Sequence, residues 1–206
     1  VGTPYDLADV LLNDMLPNYL NKFPKVSVEI VQSSRLEDLT EGSYDILVRS
    51  KHTDIPDSNL IYRKLFSSHW TLVANLSKMK KAEPKDIHEL LTLPYVGCLL
   101  ETNTSVELQH KHLDVAGIKY QLTPRFSVNN MRAVIKATVK GLGFTISPRT
   151  MVANYIDDGT LVELLPDINL PESNLYVVYP TRSGQPAKVS SFIDALFEWR
   201  DKLGRT

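Results

Sequence analysis

The sequence predicts an α/β fold with a mostly parallel sheet, and three observations lead to this prediction. Segments rich in β-branched residues alternate with segments whose apolar residues have helical spacing. The chain has 206 residues, of which 43% are hydrophobic, so it can bury one large core or two small ones. No apolar run approaches the roughly 20 residues needed to cross a bilayer. Strands that alternate with helices are typical of βαβ units.

The first third of the chain predicts two helices and four strands. Residues 7–20 have helical spacing, and we expect Thr3 to cap this helix with Pro4 in its first turn. The other predicted elements are a strand at 26–31, a short helix at 36–41, and strands at 44–49, 60–65 and 70–74. The strand at 44–49 is mostly apolar, as expected for a strand buried on both faces.

The remainder of the chain repeats this alternation. The predicted elements are a helix at 83–91, a strand at 95–99, a helix at 105–115, a strand at 126–128, a helix at 131–140, a strand at 144–147, a helix starting at 148, strands at 161–165 and 175–179, and a helix at 187–203. Asn129 or Asn130 is expected to cap the helix at 131–140, and Gly117 to stop the helix at 105–115. In such sheets, ligands bind beyond the carboxyl ends of the strands.

Charge and cysteine content narrow the functional class. The 23 Lys and Arg residues nearly balance the 24 Asp and Glu residues, for a net charge of -1. A DNA-binding surface spread over the whole chain would give a strong basic excess. The single cysteine, Cys98, forms no internal disulfide, and the first residues lack the features of a signal peptide. We therefore expect a reducing, cytoplasmic setting and no membrane association.

Several segments resemble, in order, the effector-binding domain of LysR-type transcriptional regulators. They are residues 57–65 (DSNLIYRKL), 141–148 (GLGFTISP), 158–166 (DGTLVELLP), and 175–180 (LYVVYP) followed by 186–189 (PAKV) and 192–194 (FID). The front of the chain also resembles the start of that domain, so the resemblance covers essentially all 206 residues. Each segment alone is weakly specific, and their common order carries the resemblance.

The resemblance implies a fold like that of type 2 periplasmic binding proteins. Two Rossmann-like α/β subdomains would be joined by two crossover strands, at 70–74 and 175–179, with a small-molecule cleft between them. Subdomain I would comprise residues 1–73 plus 174–206, and subdomain II residues 74–173. Family members also carry an N-terminal winged helix-turn-helix. We expect it to be absent from this chain, whose first residues match the start of the effector domain.

The strand ends of subdomain I supply the first group of candidate ligand-binding residues. The group comprises Thr3, Pro4, Tyr5, Ser33, Ser34, Arg35, Arg49 and Ser50. The helix start at residues 3–5 would offer backbone N–H groups, while Arg35 offers a guanidinium fork for a carboxylate. Family members often carry a cation at the place of Arg49. The alternatives are an ordinary helix cap, an exposed turn and a structural ion pair.

The second group of candidates comes from subdomain II. It comprises Cys98, Asn129, Asn130 and Thr145. Each asparagine is about as compatible with a helix cap as with ligand contact, and Cys98 by default is a small buried strand residue.

Metal binding, catalysis and cofactor use are not expected. His110 and His112 stand two residues apart and do not share a helical face, and no carboxylate cluster completes a metal site. No nucleophile elbow, P-loop or HExxH motif occurs. The basic run at residues 78–85 lacks interleaved aromatics and is more typical of a solvated surface than of a nucleic-acid patch.

These observations favour the effector-sensing and oligomerisation domain of a bacterial regulator. A small molecule that bears a carboxylate would be the effector, and a homodimer or homotetramer the assembly, with DNA bound only through the separate N-terminal domain. A free-standing periplasmic-type solute-binding protein is the alternative, because the same fold supports it. An enzyme is the third possibility and lacks a catalytic set.

Overall fold

The computed structural model describes residues 1–3, 7–32, 44–50, 60–101, 105–180 and 185–203. The helices are α1 (Leu7–Asn13), α2 (Met15–Lys22), α3 (Leu76–Met79), α4 (Ile87–Leu91), α5 (Met131–Val139), α6 (Arg149–Asp157) and α7 (Ala187–Leu203). The strands are β1 (Gly2–Thr3), β2 (Val31–Gln32), β3 (Leu47–Ser50), β4 (Leu60–Ala74), β5 (Tyr95–Glu101), β6 (Val106–Leu108), β7 (His112–Val115), β8 (Ile118–Gln121), β9 (Pro124–Val128), β10 (Thr145–Pro148), β11 (Val162–Leu164) and β12 (Glu172–Pro180).

The chain folds into two compact units that it enters twice. Unit 1 comprises Val1–Ser67 and Asn174–Thr206, and unit 2 comprises Ser68–Ser173. Strand β4 carries the chain from unit 1 into unit 2, and β12 carries it back. The structure therefore has a mixed α/β architecture in which both passages between the units are made by strands.

Unit 1 is a sheet covered by helices. Strand β1 pairs in parallel with both β2 and β3, while β12 pairs antiparallel with β3. Alternate strand residues such as Val48 and Val177 pack against α1, α2 and α7 in one apolar core. In that core the ring of Tyr19 meets the ring of Phe192 edge-on at 5.2 Å, and Leu196 is fully buried. Burying one such leucine stabilises the fold by about 1.5–3 kcal/mol.

Unit 2 contains a parallel strand pair and two antiparallel groups. Strands β5 and β9 pair in parallel, and β6 joins β5 antiparallel. Strands β10 and β11 both pair antiparallel with the second half of β4, and β7 and β8 form a hairpin. The described pairings are thus mixed, and the expectation of a mostly parallel sheet was wrong. Strands β10 and β11 each follow a helix, α5 and α6, and both still run antiparallel to β4.

The helix predicted at 105–115 is wrong, since these residues form β6 and β7. Val106 and Leu108 pair with Glu101 and Leu99, and Leu113 faces Tyr120 across the hairpin. Ala116 and Gly117 both have positive φ, 53° and 83°, which suits a two-residue hairpin turn. Gly117 was expected to stop a helix and instead turns a hairpin.

The helix predicted at 7–20 is interrupted at Asp14, which separates α1 from α2. Pro17 explains the interruption, because proline has no N–H to donate to the carbonyl of Asn13 and its ring clashes with that carbonyl in a continuous helix. Thr3 was expected to cap this helix. It lies in β1 instead, and its buried Oγ1 has no hydrogen-bond partner.

Other boundaries differ in length rather than kind. The strand predicted at 26–31 is confined to β2, although Val26, Val28 and Ile30 alternate onto the unit 1 core as their spacing suggests. The strands predicted at 60–65 and 70–74 form the single 15-residue β4. The helix predicted at 83–91 is shorter and begins after Asp86, whose side chain accepts from the N–H of Glu89. The helix predicted at 36–41 lies outside the described residues.

Candidate functional site

Three parallel strands of unit 1 end at the same edge of the sheet. Gly2 pairs in parallel with Val31 of β2 and with Leu47 of β3. The carboxyl ends of the three strands therefore lie on the same side of the sheet. An added Cβ at Gly2 would lie 2.3 Å from Cδ2 of Leu47, so a larger residue here would displace the leucine side chain. The close approach keeps β1 between its two neighbours and places Thr3 at this edge.

Thr3 brings an unsatisfied hydroxyl to the edge. The residue is 2% exposed, and its Oγ1 is buried without a hydrogen-bond partner. A hydroxyl donates one hydrogen bond and accepts up to two. Leaving such a group buried and unpaired costs about 1–3 kcal/mol. A polar ligand atom that reached this hydroxyl would remove the cost.

Arg49 lies near the end of β3 beside two tyrosines. Its Nη2 donates to the hydroxyl of Tyr62 over 3.3 Å, and Tyr176 faces it across the antiparallel pair with β12. The side chain is only partly buried, so the guanidinium keeps further N–H donors for a carboxylate. Ser50 follows in the same strand and pairs with Leu175, and its side chain is not described.

Five predicted residues of unit 1 lie outside the described residues. They are Pro4, Tyr5, Ser33, Ser34 and Arg35. They follow β1 and β2 directly in the chain. They stay predictions.

Cys98 is a buried residue of β5 in unit 2. It is 6% exposed and packs with Met131, Val134 and Ile135 of α5 in an apolar cluster. Its Sγ lies 3.7 Å from the carbonyl oxygen of Leu99. The expectation that Cys98 is a small buried strand residue is confirmed, and its ligand role stays a prediction.

The two asparagines follow the carboxyl end of β9. Asn130 is the N-cap of α5, since its Oδ1 accepts from the N–H of Ala133 over 3.0 Å. The sequence proposed either asparagine for this cap, and the structure assigns it to Asn130. Asn129, one residue closer to β9, is partly buried. Asn130 therefore has a structural role that accounts for it without a ligand.

Thr145 has a satisfied hydroxyl in the interior of unit 2. The residue is 1% exposed, and its Oγ1 donates to the carbonyl oxygen of Val96 over 2.8 Å. Thr145 also pairs with Val73 of β4. The hydroxyl thus joins β10 to β5, and ligand contact by this residue stays a prediction.

Sequence reasoning missed two polar residues near the unit 1 edge. Tyr62 holds the guanidinium of Arg49, and Gln32 stands opposite Thr3 at the end of β2. Tyr62 and Leu60 stand two residues apart on β4, and both pack beside Leu47. This two-residue spacing indicates a shared strand face and could have pointed to Tyr62. The position of Gln32 could not be found in this way, because it depends on where β2 ends.

The described residues offer hydrogen-bonding and cationic groups. They contain no group of three or more His, Cys, Asp or Glu side chains arranged to hold a metal ion. No helix in the described ranges has both the length and the apolar character required to cross a membrane. The unit 1 edge, with a hydroxyl and a guanidinium, has the chemistry of an anion-recognition site.

Comparison with known proteins decides the family. The sequence matches the LysR substrate binding domain over residues 1–201. The chain belongs to this family. The LysR domain is 29% identical over 209 residues to the HTH-type transcriptional regulator PtxR of Pseudomonas aeruginosa, and the alignment covers all of this chain and 64% of that protein. The expectation drawn from the short motifs is confirmed.

Solved structures agree with the fold. The LysR domain is similar to the regulatory domain of AphB in Vibrio vulnificus, with a TM-score of 0.69, 28% identity and coverage of 96% of this chain and 95% of that one. CrgA from Neisseria meningitidis gives a TM-score of 0.81 at 22% identity, covering 97% of this chain and 67% of that one. The periplasmic-binding-protein-like fold is therefore confirmed.

Two of the curated relatives are longer proteins named as transcriptional regulators. PtxR and the transcriptional activator AaeR of Escherichia coli are both regulators, and this chain spans 64% and 65% of their lengths. Both relatives are regulators rather than enzymes, in agreement with the sequence-based expectation of a regulatory domain.

Proposed function

We propose that this domain binds a small effector bearing a carboxylate and that binding controls DNA binding and transcription by the longer protein. The observation that carries the proposal is the edge of unit 1, where the unpaired hydroxyl of Thr3 and the guanidinium of Arg49 stand at the ends of neighbouring parallel strands. Thr3 is level with Val48, so Arg49 lies on the other face of the sheet, and an effector that contacts both spans the strand ends. A carboxylate accepts hydrogen bonds from both donor types. The predicted residues Ser33, Ser34 and Arg35 follow β2 and belong to the same proposed site.

Calorimetric titration with a library of carboxylates tests the proposal. The charge-assisted hydrogen bonds of Arg49 are worth about 1.5–3 kcal/mol, so Arg49→Gln should weaken binding about 10- to 100-fold. Arg63→Gln is the matched control, because Arg63 is a strand residue of unit 1, on β4, whose guanidinium stacks on the ring of Phe197 at 3.8 Å. Equal affinity of the two variants would show that Arg49 is not the carboxylate partner.

The residues of unit 2 are tested separately. Cys98→Ala and Asn129→Ala remove side chains whose ligand role rests on the sequence. Thr145→Val and Asn130→Ala also remove structural hydrogen bonds. An effect on affinity from Cys98 or Asn129, at unchanged stability, would extend the site to this unit.

We also propose a cytoplasmic homodimer or homotetramer that contacts DNA only through a separate domain. Leu12 of α1 and Val31 of β2 are exposed apolar residues, 53% and 36% accessible, and support a contact surface on unit 1. Leu12→Lys should lower the mass measured by light scattering, whereas Leu142→Lys, at a 40% exposed position of unit 2, should leave it unchanged. A gel shift should show weak DNA binding by residues 1–206 alone; tight, sequence-specific binding would contradict the assignment of DNA contact to another domain.

A further inference from the structure

Unit 2 contains a cavity of the size of a small-molecule site. The cavity, of about 390 Å³, is lined by residues of β4, β7, β10 and the segment before β12, among them Trp70, His110, Leu113, Ile146, Leu170 and Pro171. Its volume falls in the range of small-molecule sites, roughly 300–1,000 Å³. All of its lining residues belong to unit 2, so it is separate from the edge of unit 1.

Apolar and aromatic side chains line part of the cavity, and several of them belong to the buried core of unit 2. Leu113 and Ile146 are each 2% exposed, and Leu170 packs against the same core cluster. The indole of Trp70 meets the imidazole of His110 edge-on, with 4.6 Å between ring centroids and 75° between planes. Backbone pairing of β4 with β10 and of β7 with β8 positions these side chains before any ligand arrives.

The lining includes the polar residues His110, His112, Asp114 and Asn169, and His110 has an unpaired nitrogen. The Nε2 of His110 is buried and has no hydrogen-bond partner. Burial lowers the pKa of His110 to about 4, so its imidazole is neutral near pH 7. A neutral imidazole nitrogen forms one hydrogen bond, as donor or acceptor according to its tautomer.

The acidic side chain in the cavity lining is that of Asp114. The ten lining residues, all described, include no lysine or arginine. The carboxylate that is present, Asp114, accepts from the N–H of Gly117 over 2.9 Å at the hairpin turn. Lys119 stands opposite Asp114 across the hairpin and offsets part of its charge, but it does not line the cavity. A carboxylate ligand would therefore meet no lysine or arginine in the lining, whereas an uncharged ring would bury apolar surface.

We propose that this cavity binds a small uncharged aromatic molecule with one hydroxyl group. In the proposed complex the ring lies against Trp70, and the imidazole of His110 turns so that Nε2, which is buried in the free domain, pairs with the hydroxyl. The lining volume, the aromatic wall, the unpaired nitrogen and the missing cation each point to this ligand class. The inference is independent of the carboxylate effector proposed for unit 1.

Fluorine NMR of the whole domain labelled with 5-fluorotryptophan tests the inference. The chain has two tryptophans, Trp70 in the cavity wall and Trp199 in the core of unit 1, so the spectrum contains two assignable signals. Phenol should move the Trp70 signal saturably and leave Trp199 in place. Toluene should bind more weakly, and benzoate should bind most weakly of the three.

Two variants separate the hydrogen bond from the apolar contact. His110→Phe keeps an aromatic ring beside Trp70 and should weaken phenol binding about 2- to 10-fold, the value of one neutral hydrogen bond, while leaving toluene unchanged. His88→Phe is the control, because His88 is exposed and contacts only the ring of Tyr120 among the ring pairs described, at 5.8 Å. The inference is overturned if phenol and toluene leave Trp70 unmoved, if benzoate binds as tightly as phenol, or if His110→Phe weakens both neutral ligands equally.

Discussion

Replacing Thr3 by valine should make the domain more stable. The substitution keeps the branched shape and removes a hydroxyl that is buried without a partner. An unpaired buried hydroxyl costs about 1–3 kcal/mol, so the free energy of unfolding should rise by about 1–2 kcal/mol. With a urea dependence of about 2 kcal/mol per molar, the unfolding midpoint should increase by about 0.5–1 M.

Thr145→Val is the matched control with the opposite expected sign. Thr145 is as deeply buried as Thr3, 1% against 2% exposed, yet its hydroxyl donates to the carbonyl of Val96. Removing that hydrogen bond should lower the free energy of unfolding by about 1–2 kcal/mol. The pair therefore separates the effect of burial, which is shared, from the effect of hydrogen bonding, which is not.

Urea unfolding followed by tryptophan fluorescence provides the assay. Trp199 is a core residue of unit 1, which holds Thr3, and Trp70 lies in unit 2, which holds Thr145. Calorimetry on the Thr3→Val variant should at the same time show weaker binding of the carboxylate effector. A Thr3→Val protein that is less stable than the parent would refute the argument that this hydroxyl lacks a partner.

Three further predictions concern unit 2. Asn130→Ala should lower the free energy of unfolding by about 1 kcal/mol by removing the cap of α5, and Asn130→Asp should restore it in urea titrations. Gly143→Ala should lower the free energy of unfolding by more than about 3 kcal/mol, because its Cβ would lie 2.1 Å from the backbone oxygen of Pro94. Gly117→Ala meets no atom within 4 Å and should lower it by only about 1 kcal/mol, because of the positive φ. Similar thermal midpoints for the two variants would contradict this. His110 has a pKa of about 4 when folded and 6.5 as its ordinary value, so the unfolded chain binds more protons between these values. The contribution of neutral His110 to stability should be fully present above pH 6.5. The free energy of unfolding should fall by at most about 1.4 kcal/mol per pH unit as the pH drops toward 4, and His110→Phe should remove this loss.

Elements with strong local signals were predictable from sequence. The helix predicted at 131–140 corresponds to α5, with Asn130 as its cap and Gly141 at a φ of 81° after its end. The terminal helix α7 has the predicted bounds because its apolar stripe is long and regular. In both cases the cap or the periodicity lies within the segment itself, so no distant partner was needed.

Elements that depend on distant partners were not predictable. Residues 105–115 have no turn signal between Val106 and Leu113, and the apolar spacing fits a helix as well as two strands. The decisive interactions are Leu108 against Leu99 of β5 and Leu113 against Tyr120 of β8. Such cross-strand pairing is a tertiary effect that overrides local propensity. The cavity beside His110 was not predicted either, because its walls depend on the same strand pairings.

The two buried threonines show where sequence reasoning about the site reaches its limit. Thr3 was nominated because it precedes the first predicted helix, and Thr145 because it lies on a predicted strand whose end is expected in the same region. In the fold, the carbonyl of Val96 satisfies one hydroxyl, while the other stays unpaired at an edge where parallel strands end. A folded chain tolerates an unpaired buried hydroxyl at a net cost, and such costs concentrate at sites whose partner arrives from outside the chain. The missing partner, rather than the residue type, is what makes Thr3 the stronger candidate for effector contact.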